Sequence, residues 1–138
     1  MRFMALVKAS SDSEAGVLPT REQFEEMGKF NEEMIKAGIM LDGEGLQPTS
    51  KGARITFSGG KPSVTDGPFT ETKELVAGFW LLQAKSKEEA IEWIARAPFV
   101  DGQVEIRQIF EVEDFGDAAT PEMRSAERRL REQTASRR

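Results

Sequence analysis

The sequence predicts one α+β domain in which two strand–helix–strand units share an antiparallel sheet with helices on one face. Three observations lead there. Two stretches with helical apolar spacing each follow a capping signature, Thr20-Arg21-Glu22-Gln23 and Ser86-Lys87-Glu88-Glu89. Each is bracketed by short β-prone runs, so the order reads strand–helix–strand twice. The length, 138 residues with 38% hydrophobic content, suits one globular domain with its own core.

Arg2–Ala9 alternates around a β-prone centre and is the first strand; it is too short for a signal-peptide core and has no small-residue cleavage site. Ser10–Pro19 reads as a polar loop. From Thr20 a helix carries Phe24, Met27, Phe30, Met34 and Ile35 on one arc and ends at Ala37-Gly38, where glycine suits a left-handed cap. Ile39–Leu46 is a strand punctuated by Gly43 and Gly45. Arg54–Ser58 and Pro62–Asp66 flank Gly59-Gly60, a hairpin signal. Asp66-Gly67-Pro68-Phe69 is turn chemistry. Leu75–Ala84 contains Val76-Ala77-Gly78-Phe79-Trp80-Leu81-Leu82, apolar on both faces, which predicts a strand covered on both sides. Ala90, Ile91, Ile94 and Ala97 give the second helix its apolar face before Pro98. Val104–Val112 alternates, with Val104, Ile106, Phe110 and Val112 facing one way. Thr120-Pro121 opens a last helix with a thin stripe of Met123, Ala126 and Leu130.

The expected architecture is a ferredoxin-like split βαβ sandwich over residues 1–116, with an extra β-hairpin, followed by a basic C-terminal helix and tail over 117–138. One sheet face is left without helices. The strand at 75–84 is too apolar there to meet water, so a two-fold homodimer is expected.

The charge is −5, which disfavours nucleic acid. It is uneven: from Pro121 on, six arginines face three glutamates, giving +3 there and −8 for the rest. That tail either contacts an acidic protein partner or is a solvated helix face. No apolar run is long enough for a bilayer. With no cysteine, the chain has no disulfide, thiolate metal site or thiol nucleophile, and the cytoplasm is the expected location. With no histidine and no tyrosine, Ser-His-Asp and Cys-His mechanisms are excluded and any proton transfer falls to Asp, Glu, Lys or Arg. Neither a cofactor nor a transition-metal site is predicted; a hard cation on carboxylates stays open.

At Asp66-Gly67-Pro68-Phe69-Thr70-Glu71-Thr72-Lys73-Glu74 the chain resembles the DGPF-domain proteins, a branch of the YCII-related family. Gly38-Ile39-Met40-Leu41-Asp42-Gly43-Glu44-Gly45-Leu46-Gln47-Pro48 before it carries the same likeness. So do Gly78-Phe79-Trp80, Glu89-Ala90-Ile91-Glu92-Trp93 and Glu105-Ile106-Arg107 after it. The resemblance covers residues 1–116 and implies a dimeric α+β barrel of ferredoxin-like halves. Some relatives use a His–Asp pair in a cleft, which points to enzymes; this chain, without histidine, departs from that pattern. Others are linked by gene neighbourhood to extracytoplasmic-function sigma factors, which points to regulation.

Seven residues are candidates for a site, each with a plainer reading beside it. Asp66 is either a carboxylate at the mouth of a cavity, acting as base, or a turn residue capping Phe69 or a nearby amide. Asp42 and Glu44, two apart on a strand, share a face and could work as paired carboxylates; otherwise they are exposed acids on a bulged strand. Glu71 and Lys73 either orient a charged ligand or form a surface pair. Arg107, beside Glu105, is the natural anchor for an anionic group, or a member of a cross-strand or inter-subunit ion pair. Asn31 falls inside the apolar arc of the first helix, so it must find a partner: it lines a pocket or bonds a neighbouring backbone group. Trp80, Trp93 and Phe79 read as core or interface, with a stacking wall for a planar ligand as the second reading. The functional expectation is a homodimer that binds a small anionic molecule or a protein, with a regulatory role. The alternative is a cofactor-free isomerase or lyase of a small anionic metabolite, with Asp66 and Glu44 as carboxylates and Arg107 as anchor.

Overall fold

A computed structural model describes residues 1–136. Along the chain run β1 (Arg2–Lys8), α1 (Ser11–Glu14), α2 (Arg21–Lys36), β2 (Met40–Gly45), β3 (Ala53–Ser58), β4 (Lys61–Asp66), β5 (Val76–Gln83), α3 (Lys87–Ile94), β6 (Val104–Gln108) and α4 (Pro121–Ala135). Short 3-10 turns lie at Thr49–Lys51, Thr72–Glu74 and Val112–Ala118. The chain divides into two compact units, Met1–Gln108 and the part from Ile109 on.

In the first unit the sheet order is β2-β5-β1-β6. β1 pairs antiparallel with β5 and β6, and β5 with β2. Each helix therefore connects two parallel strands that have a third between them, which is the split βαβ order expected. A separate two-stranded ribbon, β3–β4, turns at Gly59 (φ 57°) and Gly60 (φ 81°), the positive angles that a two-residue hairpin loop requires.

Local signals place the helices. Thr20 Oγ1 accepts the Gln23 N–H at 3.1 Å, and Gln23 Oε1 accepts the Thr20 N–H at 2.9 Å. In α3 the box is displaced by one residue: Ser86 Oγ accepts from Glu89 N–H at 3.1 Å, but the Glu89 carboxylate reaches back to the Lys85 amide at 3.1 Å. Alternation then fills the core. Phe3 and Ala5 of β1 and Trp80 and Leu82 of β5 meet Phe30 and Met34 of α2 and Ala90 and Ile94 of α3. On the sheet face opposite α2 and α3, Met4, Leu6, Phe79 and Leu81 are half-buried. The register sets them in two rows, Asp42–Leu81–Met4–Arg107 and Glu44–Phe79–Leu6–Glu105.

Two expectations change. Ser10–Pro19 is not all loop: one helical turn starts at Ser10, whose hydroxyl accepts the Ser13 N–H while Ser13 Oγ accepts the Ser10 N–H. The last strand ends at Gln108, not Val112. Gln108 is paired with Phe3, and β1 begins at Arg2, so the ladder runs out of partner backbone. Beyond it, in the second unit, Phe110 and Phe115 stack at 4.9 Å, and Arg124 of α4 donates to the carbonyls of Ala119 and Gly116. Thr120 caps α4 as its sequence indicates, accepting the Met123 N–H at 3.2 Å. Arg137 and Arg138 of the basic tail lie outside the described residues. Among the described residues no helix is long and apolar enough to cross a membrane.

Candidate functional site

A cavity of about 210 Å³ opens between α2, the helix-side face of the sheet and Phe99. Its floor exists because of glycine. Gly43 pairs with Trp80 and Gly45 with Gly78 across β2–β5, so this patch of sheet lacks most side chains. A β-carbon on Gly43 would stand 2.9 Å from Trp80 Cδ1 and 2.9 Å from Met40 Cε, and one on Gly78 2.9 Å from the Glu44 carbonyl oxygen. Met27 and Asn31, one turn apart on α2, form the roof. The back wall is Trp80, 5% exposed, edge-on to Phe30 at 5.8 Å and tilted against Phe99 at 6.0 Å.

Asn31 is the polar side chain of this wall. Its Oδ1 accepts the Trp80 indole N–H at 2.9 Å. An indole nitrogen only donates, so the amide oxygen must face it. That fixes the amide: its NH2 group, which donates to nothing else among the described residues, remains available to an occupant of the cavity. The apolar-arc position of Asn31 thus reflects a side chain–side chain bond to Trp80 rather than one to backbone. Glu44, Ala77 and Phe79 also border the cavity, but alternation sends their side chains to the opposite sheet face, and they contribute backbone here.

The remaining candidates stand apart. Asp42 accepts its neighbour Gly43's N–H at 2.8 Å, at the point where β2 shifts register, and shares its sheet face with Glu44. Arg107 lies across the sheet at the β6 edge, 4.0 Å from Glu105, which also pairs with Lys8 at 3.4 Å. Asp66 is exposed at the end of β4, paired through its backbone with Ala53. It does not cap Phe69, whose N–H donates to Thr49 Oγ1 at 3.0 Å. Glu71 is paired with Arg54 at 3.4 Å rather than with Lys73, which is exposed. The structure brings Asn31 and the Glu44 backbone to the cavity and leaves Asp66, Glu71, Lys73 and Arg107 elsewhere. Phe99 also belongs to the wall, and no local pattern in the sequence marks it: only the fold brings the Ala97-Pro98-Phe99 turn over β5. Among the described residues no group of three or more acidic side chains is placed to hold a metal. A more open groove of about 470 Å³ runs between α3 and β6, lined mainly by Ile91, Ile94, Val104 and Ile106.

The DGPF segment has a structural account. A β-carbon on Gly67 would lie 1.7 Å from the Thr49 carbonyl oxygen, so only glycine lets the two turns meet. The Gly67 N–H donates to the Gly52 carbonyl at 3.0 Å, and Arg54 stacks over the Phe69 ring at 3.8 Å. The motif joins the base of the ribbon to the Thr49 turn.

An uncharacterized protein of Rhizobium meliloti (strain 1021) is 35% identical over 78 residues, covering 54% of this chain and 63% of that protein, so the match spans less than two thirds of the relative. A solved structure of 5-chloro-2-hydroxyhydroquinone dehydrochlorinase from Burkholderia phenoliruptrix, in complex with 2,5-dihydroxybenzoquinone, superposes with a TM-score of 0.46 and 16% identity, over 80% of this chain and 95% of that one. The YCII-related domain matches residues 1–113, the whole split βαβ body with its ribbon and cavity, and the chain belongs to that family.

Proposed function

We propose that this chain is a small-molecule-binding protein that holds a compact planar ligand in the cavity between α2, the sheet and Phe99, and that it acts as a homodimer. The observation that carries the reading is the Asn31 amide, locked by Trp80 with its NH2 group left over beside Met27, Phe99 and the glycine-rich backbone of the floor. An apolar cavity of about 150 Å³ suffices for benzene. The volume here, about 210 Å³, has room for one ring with a single acceptor substituent such as a carboxylate, phenolate or carbonyl. The acceptor would meet the Asn31 NH2 while the ring lies over the glycine floor, against Phe99 and the edge of Trp80 that reaches the cavity.

Binding is favoured over turnover by the chemistry of the wall. An amide can hold an anion but does not transfer protons near neutral pH. The residues that an isomerase or lyase would draw on, Asp66 and Arg107, lie outside the cavity, and the Glu44 side chain stands on the far face of the sheet. The homodimer reading rests on the half-buried apolar patch of Met4, Leu6, Phe79 and Leu81, on the sheet face opposite α2 and α3. Phe79 and Trp80 are consecutive, one facing that patch and the other the cavity, so ligand occupancy would be felt at the dimer face. This is the route to a regulatory role.

A thermal-shift screen at fixed protein concentration tests it, with benzoate, phenol and salicylate as probes. A ligand at 100 times its Kd stabilises by about 2.7 kcal/mol. The melting temperature of the wild type should rise with at least one probe, and that rise should vanish in Asn31→Leu. A shift of equal size in both proteins, or none in either, would overturn the reading.

A further inference from the structure

The β3–β4 ribbon carries an apolar face that stays mostly exposed among the described residues. Across the pair, Ile55 faces Val64 and Phe57 faces Pro62, all on one side. Ile55 is 59% exposed, Phe57 71% and Val64 67%. The opposite side is polar, with Arg54 facing Thr65, Thr56 facing Ser63 and Ser58 facing Lys61. Alternation of this kind marks a strand pair with one face meant for burial. Within the chain this face nevertheless stays mostly in solvent. A lone two-stranded ribbon is marginal in water.

Its base, by contrast, is firmly tied. The Gly67 N–H reaches the Gly52 carbonyl at 3.0 Å, the Phe69 N–H reaches Thr49 Oγ1 at 3.0 Å, and Thr49 is itself held by the Glu14 carboxylate, which accepts its N–H at 3.1 Å. The body of the protein therefore sets where the ribbon projects. We infer that the ribbon is an exchanged arm whose Ile55–Phe57–Val64 face packs on a second copy of this chain. The inference rests on the homodimer proposed above, but its motivating surface is separate.

Area points to a second copy as the occupant. Four strands about 4.8 Å apart and five to eight residues long give the open sheet face a footprint of roughly 400 Å², against about 800 Å² per partner in a standard interface. The sheet face alone is too small, and an arm from each protomer enlarges it twice over under two-fold symmetry. The two exposed apolar surfaces then close together.

Sedimentation velocity on the full chain, across about 1–100 μM, reads the outcome. The wild type should be a dimer. Phe57→Ser/Val64→Thr, which changes only exposed positions, should raise the dimer dissociation constant about 100-fold or more, the loss of two interface anchors. Hydrogen exchange supplies a second readout on the wild type: amides of β3 and β4 should be protected in the dimer and exposed on dilution below its dissociation constant, with β1 and β5 protected throughout. Leu6→Thr/Leu81→Thr runs beside it as the probe of the sheet face. A dimer undisturbed by the ribbon substitutions but lost in the sheet-face variant would overturn the arm and leave the homodimer standing. A dimer lost only in the ribbon variant would support the arm and refute the sheet face. A wild type that is monomeric throughout would overturn both.

Discussion

Replacing Gly67 with alanine puts a β-carbon 1.7 Å from the Thr49 carbonyl oxygen and 2.6 Å from its carbon. Both are backbone atoms, so no side chain can rotate away; the corner has to part. The Gly67–Gly52 hydrogen bond, the Phe69–Thr49 hydrogen bond and the stacking of Arg54 on Phe69 go with it. At about 0.5–1.5 kcal/mol for each hydrogen bond and about 0.5–1 kcal/mol for the cation–π contact, the local loss is about 1.5–4 kcal/mol. Native-state hydrogen exchange measures it directly. The amides of residues 67 and 69 should exchange roughly 10- to 700-fold faster, at about 1.4 kcal/mol per decade, while those of β1 and β5 keep their protection. Gly45→Ala is the control: its β-carbon meets nothing within 4 Å, so it should leave both sets unchanged. Wild-type exchange at residues 67 and 69 in the Gly67 variant would refute the claim that close approach fixes this glycine.

Three more predictions concern the cavity and the core. Asn31→Leu leaves the buried Trp80 N–H without an acceptor and should destabilise by about 1–3 kcal/mol in urea unfolding; adding Trp80→Phe removes the donor and should recover part of it, so additive losses would contradict the pairing. Gly43→Ala crowds Trp80 Cδ1 and should cost about 1–3 kcal/mol, with a change in Trp80 fluorescence that Gly45→Ala does not give. Leu82→Ala, at a fully buried core position, should lower stability by about 2–5 kcal/mol; a value under 1 kcal/mol would show that the helix-side core is misplaced.

The elements that local chemistry controls were readable in the sequence. Thr20–Gln23, Gly38, Gly59-Gly60 and Thr120-Pro121 act within three or four residues of themselves, and each sits where its pattern indicates. What depended on distant backbone was not. Asn31 announces itself as a polar residue in an apolar arc, but its partner is 49 residues away. Gly67 looks like ordinary turn chemistry until Thr49 is beside it. Phe110 and Val112 continue the alternation of β6, yet a strand needs a partner and β1 has none left to offer. The cavity was hidden for the same reason: Gly43, Gly45 and Gly78 make a floor only once register sets them side by side.

The most direct test of the binding account uses the two tryptophans as reporters. In an amide nitrogen–proton correlation spectrum, the indole resonance of Trp80 reports the Asn31 hydrogen bond at the cavity wall, and that of Trp93 on α3 serves as the internal control. Titration with benzoate should shift the Trp80 indole peak to saturation and leave Trp93 in place. A Trp80 peak that never moves, or one that drifts in step with Trp93 without saturating, would contradict a ligand site at Asn31 and Trp80.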